Sequence, residues 1–176
     1  MQFKYKVLLI ITPLVFLFDQ LTKWLVIKNI PLFGKIPIIA GYLDLVHYQN
    51  PGAAFGMFAQ AAPGFRQPFF YIVTVVAIII FAIYFLKLSK ESRLLPITFS
   101  LIFGGIAGNI IDRIRVGAVT DFISVHIQYK VVNWTLWGKN ISIPLDWPAF
   151  NVADSAITIA MCLLIISVFK TDRGSL

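Results

Sequence analysis

The chain has 176 residues, 59% of them hydrophobic and 13% charged, with a mean hydropathy of +0.83 and a net charge of +7. Soluble domains carry about a quarter charged residues, so this composition excludes an ordinary soluble globule and indicates one integral membrane domain over 1–176. The basic residues lie scattered at the ends of apolar runs, which excludes a nucleic-acid surface despite the positive balance.

The first apolar run predicts a membrane-spanning helix over 7–27. Its start, "MQFKYK" followed by "VLLIITPLVFLF", imitates a secretory signal peptide. The following "DQLTKWLVI" lacks a small-residue cleavage site, so an uncleaved span is expected. Asp19 and Lys23 stand four apart on one face of its outer half, and their plainest reading is an intrahelical ion pair. An outer β element is expected over 38–60. There "GYLDLVHYQNPGAAFGMF" reads as a hairpin with its corner at Asn50-Pro51-Gly52.

Spans two and three are expected over 69–88 and 94–111, joined by a short link holding Lys87, Lys90 and Arg93. Span three carries "GGIAGNI", small residues suited to close helix packing, and ends with Asn109, Asp112 and Arg113 on one face. Asp112 with Arg113 has a bland reading as a structural pair or interfacial anchor. An outer loop is expected over 114–150, although "VTDFISVHIQYKVV" alternates as a strand does. The fourth span, 151–169, opens with Asn151 and Asp154 and contains Cys162, the only cysteine, read as a buried packing residue. Trp24, Trp134, Trp137 and Trp147 suit an interfacial aromatic belt, and His47 and His126 read as ordinary polar loop positions. The expected fold class is an integral membrane, mainly α protein: four transmembrane helices, a small extracytoplasmic β element and an outer loop over the site.

Basic residues set the expected orientation. Lys4, Lys6, Lys87, Lys90, Arg93, Lys170 and Arg173 crowd into short segments, while seven others (Lys28, Lys35, Arg66, Arg113, Arg115, Lys130 and Lys139) spread over two long connections. Both termini are therefore expected in the cytoplasm and the long connections outside.

That topology brings polar residues from four segments to one depth near the outer interface. Charges in hydrocarbon are costly and face the protein interior or a wet cavity, so one site is expected. Asp121 and Asp154 have no cation at helical spacing and resist a purely structural reading. The chain lacks HExxH and GxSxG, and two lone histidines with one cysteine make a poor zinc set, so no metal or cofactor is expected. Two close carboxyls cannot both ionise easily. The ionised member can take a proton from water, and the protonated member can polarise a peptide carbonyl. A cation- or proton-coupled transporter would also use intramembrane carboxylates, but near the midplane between repeats, and no repeat is visible here.

Five stretches, "DQLTK" (19–23), "NPGAAFG" (50–56), "GGIAGNIIDR" (104–113), "VTDF" (119–122) and "FNVAD" (150–154), resemble the motif blocks of bacterial lipoprotein signal peptidase, signal peptidase II, in the family's order. The resemblance covers nearly the whole chain. It implies an aspartic endopeptidase of the bacterial inner membrane that cuts diacylglyceryl-modified prolipoproteins just before the lipidated cysteine. Asp121 and Asp154 match the catalytic aspartates. Asp19, Asn50, Asn109, Arg113 and Asn151 match polar residues that line or support the site. Lys23, Gly52 and Asp112 complete the expected supporting set. The implied partners are the prolipoprotein and membrane lipid, and a monomer is expected. The stretch 124–147 is long for the connection between the last two blocks.

Overall fold

The computed structural model of the chain describes residues 1–52, 58, 60–136 and 139–173. The elements run α1 (Phe3–Asn29), β1 (Lys35–Ile39), β2 (Leu43–Asn50), α2 (Pro63–Lys87), α3 (Leu94–Val116), β3 (Val119–Leu136), β4 (Lys139–Phe150) and α4 (Val152–Arg173). Among the described residues, α1 to α4 are long and apolar enough to cross a membrane. An even number of crossings leaves both termini on one face.

The spans exceed their expected bounds for local reasons. Pro63 takes the first turn of α2, where its missing N–H costs nothing, so the helix begins six residues before 69. α3 continues past Ile111 because Asp112 and Arg113 find protein partners instead of ending the helix. It stops at Gly117, whose φ of 75° is left-handed and whose N–H bonds the Arg113 carbonyl at 3.0 Å.

α3 is the central span: 44% of its most apolar window is buried, against 6% for α2. It packs mainly on α1 and α4. The small residues of "GGIAGNI" permit this. A Cβ on Gly104 would come within 2.7 Å of the Val15 side chain, and one on Gly105 within 2.6 Å of the Ala153 carbonyl oxygen. Phe85, Phe99, Ile102 and Ala160 form the apolar core of the terminus-bearing half. Cys162 departs from expectation. It sits on the exposed outer surface of α4, as many apolar side chains of a lipid-facing helix do.

The strands form one antiparallel sheet in the order β1-β2-β3-β4. β2 ends at the expected corner, where Gly52 N–H donates to Asn50 Oδ1 at 3.0 Å. β2 is engaged on both edges, by β1 and β3, and its hairpin to β1 turns at Gly41, where φ is 83°. Residues 53–57 and 59, the expected second arm, lie outside the described residues. The stretch read as a loop folds as β3 and β4, joined by pairs from Ile123–Phe150 to Leu136–Lys139. A register shift between His126 and Val131 bends this hairpin, with Gln128 and Tyr129 at φ of 51° and 52°.

His47 and His126 are buried, contrary to the polar loop reading. His47 Nδ1 lies 2.8 Å from the Ile30 carbonyl, and His126 Nε2 lies 3.3 Å from Asp44 and stacks on Tyr129. Trp24, Trp134 and Trp147 are exposed, as an aromatic belt requires, and Trp137 lies outside the described residues.

Candidate active site

Asp121 reaches its place through the end of α3. Gly117 turns the chain sharply out of the helix, and Thr120 N–H then donates to Asp112 Oδ2 at 3.0 Å. This bond ties the start of β3 to the last turns of α3. Asp121 follows at once, 4% exposed. Asn50 Nδ2 donates to its Oδ2 at 3.1 Å, and Asn151 Nδ2 donates to its Oδ1 at 2.8 Å. Burial, and secondly the negative charge of Asp154, push the Asp121 carboxyl up to about 7 from its ordinary 3.8; the two amide donors oppose the rise.

Asp154 sits in the first turn of α4, in a reciprocal cap with Asn151. Asp154 N–H donates to Asn151 Oδ1 at 2.9 Å, and Asn151 N–H donates to Asp154 Oδ2 at 3.2 Å. Asn109 Nδ2 donates to Asp154 Oδ1 at 2.8 Å. Asn151 therefore holds Asp154 through its backbone and Asp121 through its side chain.

A buried ionic layer lies behind this pair. Lys23 Nζ lies 2.8 Å from Asp19 Oδ2 and 3.0 Å from Asp112 Oδ2, and it donates to Asn109 Oδ1 at 3.1 Å. Buried charges are tolerated where pairing and hydrogen bonds satisfy them. The Asp19–Lys23 pair thus forms as its spacing suggests, yet it also leaves its own helix. Asp19 Oδ1 accepts from Ala153 N–H at 2.9 Å, at the N-terminus of α4. Asp112 pairs with Lys23, while its neighbour Arg113 turns to the Gly52 carbonyl. Arg113 lines the cavity, donates to the Gly52 carbonyl at 2.8 Å and lays its guanidinium 4.5 Å from the Phe70 ring centre. Gly52 N–H in turn donates to Asn50 Oδ1 at 3.0 Å. Every expected site residue is gathered at this end of the bundle. Asn50, Gly52, Asn109, Arg113, Asp121 and Asp154 line the cavity, while Asp19, Lys23, Asp112 and Asn151 brace it from behind.

Gln20 had no expected role. Its Nε2 lies 3.2 Å from Asp19 Oδ2, 3.1 Å from the Gly108 carbonyl and 3.1 Å from Asp112 Oδ1. A polar residue inside an apolar span is the signal that marks it. Trp147 does more than anchor an interface, since it also walls the cavity.

The cavity holds about 800 Å³. Its polar end carries both aspartates, and Trp147, Phe150, Ile157 and Ile159 line its apolar remainder. Among the described residues, no three His, Cys, Asp or Glu side chains converge as a metal-binding set. The arrangement sets two carboxyls, each hydrogen-bonded to Asn151, at the polar end of a mostly apolar space.

Fold and site together define a polytopic membrane protein with a carboxylate pair, Asp121 buried and Asp154 half-buried, opening onto a mostly apolar cavity at one end of its bundle. Residues 11–170 match the family model of signal peptidase (SPase) II. The chain belongs to that family and is a membrane-spanning protease. It is 38% identical over 169 residues to the lipoprotein signal peptidase of Geobacter metallireducens, covering 96% of this chain and 94% of that protein. It is 39% identical over 176 residues to that of Nitratidesulfovibrio vulgaris, covering 98% and 96%. Two solved structures, each described as a bacterial membrane enzyme, superpose well. One matches at a TM-score of 0.81 with 28% identity over 99% of this chain and 94% of the other. The second matches at 0.76 with 27% identity over 96% of each.

Proposed function

We propose that the protein cleaves the signal peptide from diacylglyceryl-modified prolipoproteins just before the lipidated cysteine, using Asp121 and Asp154 to activate one water. The observation that carries this reading is that Asn151 holds both carboxylates at the polar end of a cavity whose remaining wall is apolar. Asp121, raised to about 7, carries the shared proton and polarises the scissile carbonyl. Asp154 takes a proton from the water as it attacks that carbon. The tetrahedral intermediate collapses, the peptide C–N bond breaks, and the leaving amine receives a proton from the pair. No metal or covalent intermediate is invoked.

The same reading explains the cavity's composition. Acyl chains along Ile157 and Ile159 would hold the peptide at a fixed depth, which is catalysis by positioning. Asn50 and Arg113, at the polar end, orient the aspartates or the substrate backbone by charge-assisted hydrogen bonds. The basic residues near the span ends support cytoplasmic termini and a site toward the outer face of the bacterial inner membrane. The enzyme acts as a monomer without a cofactor. Incubating purified protein with a lipidated prolipoprotein tests the reading: the shortened product should appear with wild type and be absent with Asp154→Asn. Equal cleavage by both would overturn the assignment.

A further inference from the structure

Another cavity among the described residues shares no lining residue with the one that holds the aspartates. α2 and α4 both pack beside α3 but barely touch each other. At the terminus-bearing end this leaves a groove of about 370 Å³, open to the side. Each helix contributes residues one turn apart: Tyr84 and Leu88 from α2, Leu95 and Phe99 from α3, Leu164 and Val168 from α4. The groove therefore runs along the helix axes, as a bilayer acyl chain does.

Two further observations bear on its occupant. First, the α2 wall is held in place. Buried Lys4 of α1 donates to the carbonyls of Leu86 at 2.9 Å and Leu88 at 3.2 Å, capping the end of the helix. Second, exposed Lys87 and Lys90 flank the groove-lining Leu88, one residue before it and two after. Arg93 lies in the same link, stacked 4.5 Å from the Phe3 ring centre, and Glu91 is the one acid there. The link beside the groove is net positive and follows the end of an apolar span. Basic pockets between spans bind anionic headgroups.

We propose that this groove binds one anionic phospholipid of the leaflet on the terminus-bearing face. One acyl chain lies against Leu95 and Phe99, and the phosphate is met by Lys87 and Lys90. This is a site separate from the substrate cavity, and it does not depend on the mechanism given above.

The test is native mass spectrometry of the whole protein released from nanodiscs of equal phosphatidylglycerol and phosphatidylethanolamine. Wild type should retain one phosphatidylglycerol, favoured by roughly fivefold or more, the effect of about one headgroup-facing cation. Ser167→Trp, which fills the groove, should lose that lipid. Lys87→Gln with Lys90→Gln should keep a lipid but lose the preference. No retained lipid, equal retention of the two lipids by wild type, or unchanged retention by Ser167→Trp would overturn the site. An intact preference in the double Gln variant would overturn the headgroup assignment. Thermal unfolding in the same nanodiscs serves as the folding control, and Val168→Trp replaces any Ser167→Trp protein that does not fold.

Discussion

Asn151 and Asp154 cap each other across the first turn of α4, the side chain of each accepting the backbone N–H of the other at 2.9 and 3.2 Å. The same Asn151 amide donates to Asp121 at 2.8 Å. Starting the helix and aligning the two carboxyls are thus one structural event.

These two roles of Asn151 separate by substitution. Asn151→Ser keeps a side-chain cap but cannot reach Asp121 as the amide does, whereas Asn151→Ala loses both. Loss of a cap costs about 1 kcal/mol. Asn151→Ser should therefore melt close to wild type yet cleave poorly, and Asn151→Ala should melt lower and cleave as poorly. Thermal unfolding and turnover measured on the same preparations check this. Full activity in the Ser variant would show that the Asp121 contact is dispensable.

Packing behind the site predicts a second contrast. A Cβ on Gly105 meets the backbone of α4 at Ala153, one residue from Asp154, while a Cβ on Gly104 meets the Val15 side chain on α1. Overpacking costs about 1–3 kcal/mol in either case. Gly105→Ala should also push the first turn of α4 and lower turnover out of proportion to its loss of stability. Gly104→Ala should lose stability with a smaller effect on turnover. Equal ratios of activity to stability in the two variants would contradict this account.

Much of this end of the bundle is legible in the sequence because its signals are local. Asp121 and Asp154 stand out as carboxylates in an apolar chain with no cation at helical spacing, and the glycines of "GGIAGNI" mark the packed faces of α3. What was not legible is long-range. The corner at Asn50-Pro51-Gly52 was legible from its turn chemistry, but the pairing of β2 with β1 on one edge and β3 on the other was not. The alternation of β3 is broken at Gln128 and Tyr129, whose left-handed backbone hides the continuing strand. His126 is buried by a partner, Asp44, on a distant strand, and Asp112 prefers Lys23 on another helix to its adjacent arginine. No window of sequence contains both members of such pairs.

Orientation is open to a direct check. Reporter fusions after Ser89 and after Arg173 should report cytoplasm, and fusions near Phe65 should report the outside. The reverse pattern would place the aspartates on the cytoplasmic face and contradict the proposed outward-facing site.

The raised Asp121 carboxyl makes the last prediction, one of pH. Its proton is held up to about 7 in the folded protein, against 3.8 for the ordinary group. Between those values the folded chain binds more protons than the unfolded one, so this residue's contribution to stability falls as pH rises, by at most about 1.4 kcal/mol per pH unit. The loss is complete above about 7. Asp121→Asn removes that slope, so its melting temperature should gain on wild type steadily from about pH 4 to pH 7. Activity should depend on the same proton. A protonated Asp121 is needed to polarise the carbonyl, so wild-type turnover should decline as pH rises through about 7. Its apparent values belong to the aspartate pair rather than to one residue. Below about pH 7, where wild type is active, Asp121→Asn and Asp154→Asn should each lose at least about a hundredfold, and the double variant should be little worse, because groups acting as a unit are not additive. Melting curves and cleavage of lipidated precursor across pH 4 to 9 decide the matter. A wild type whose turnover stays flat through pH 7, or an Asp121→Asn protein that gains no stability on it between pH 4 and 7, would remove the shared proton from the mechanism.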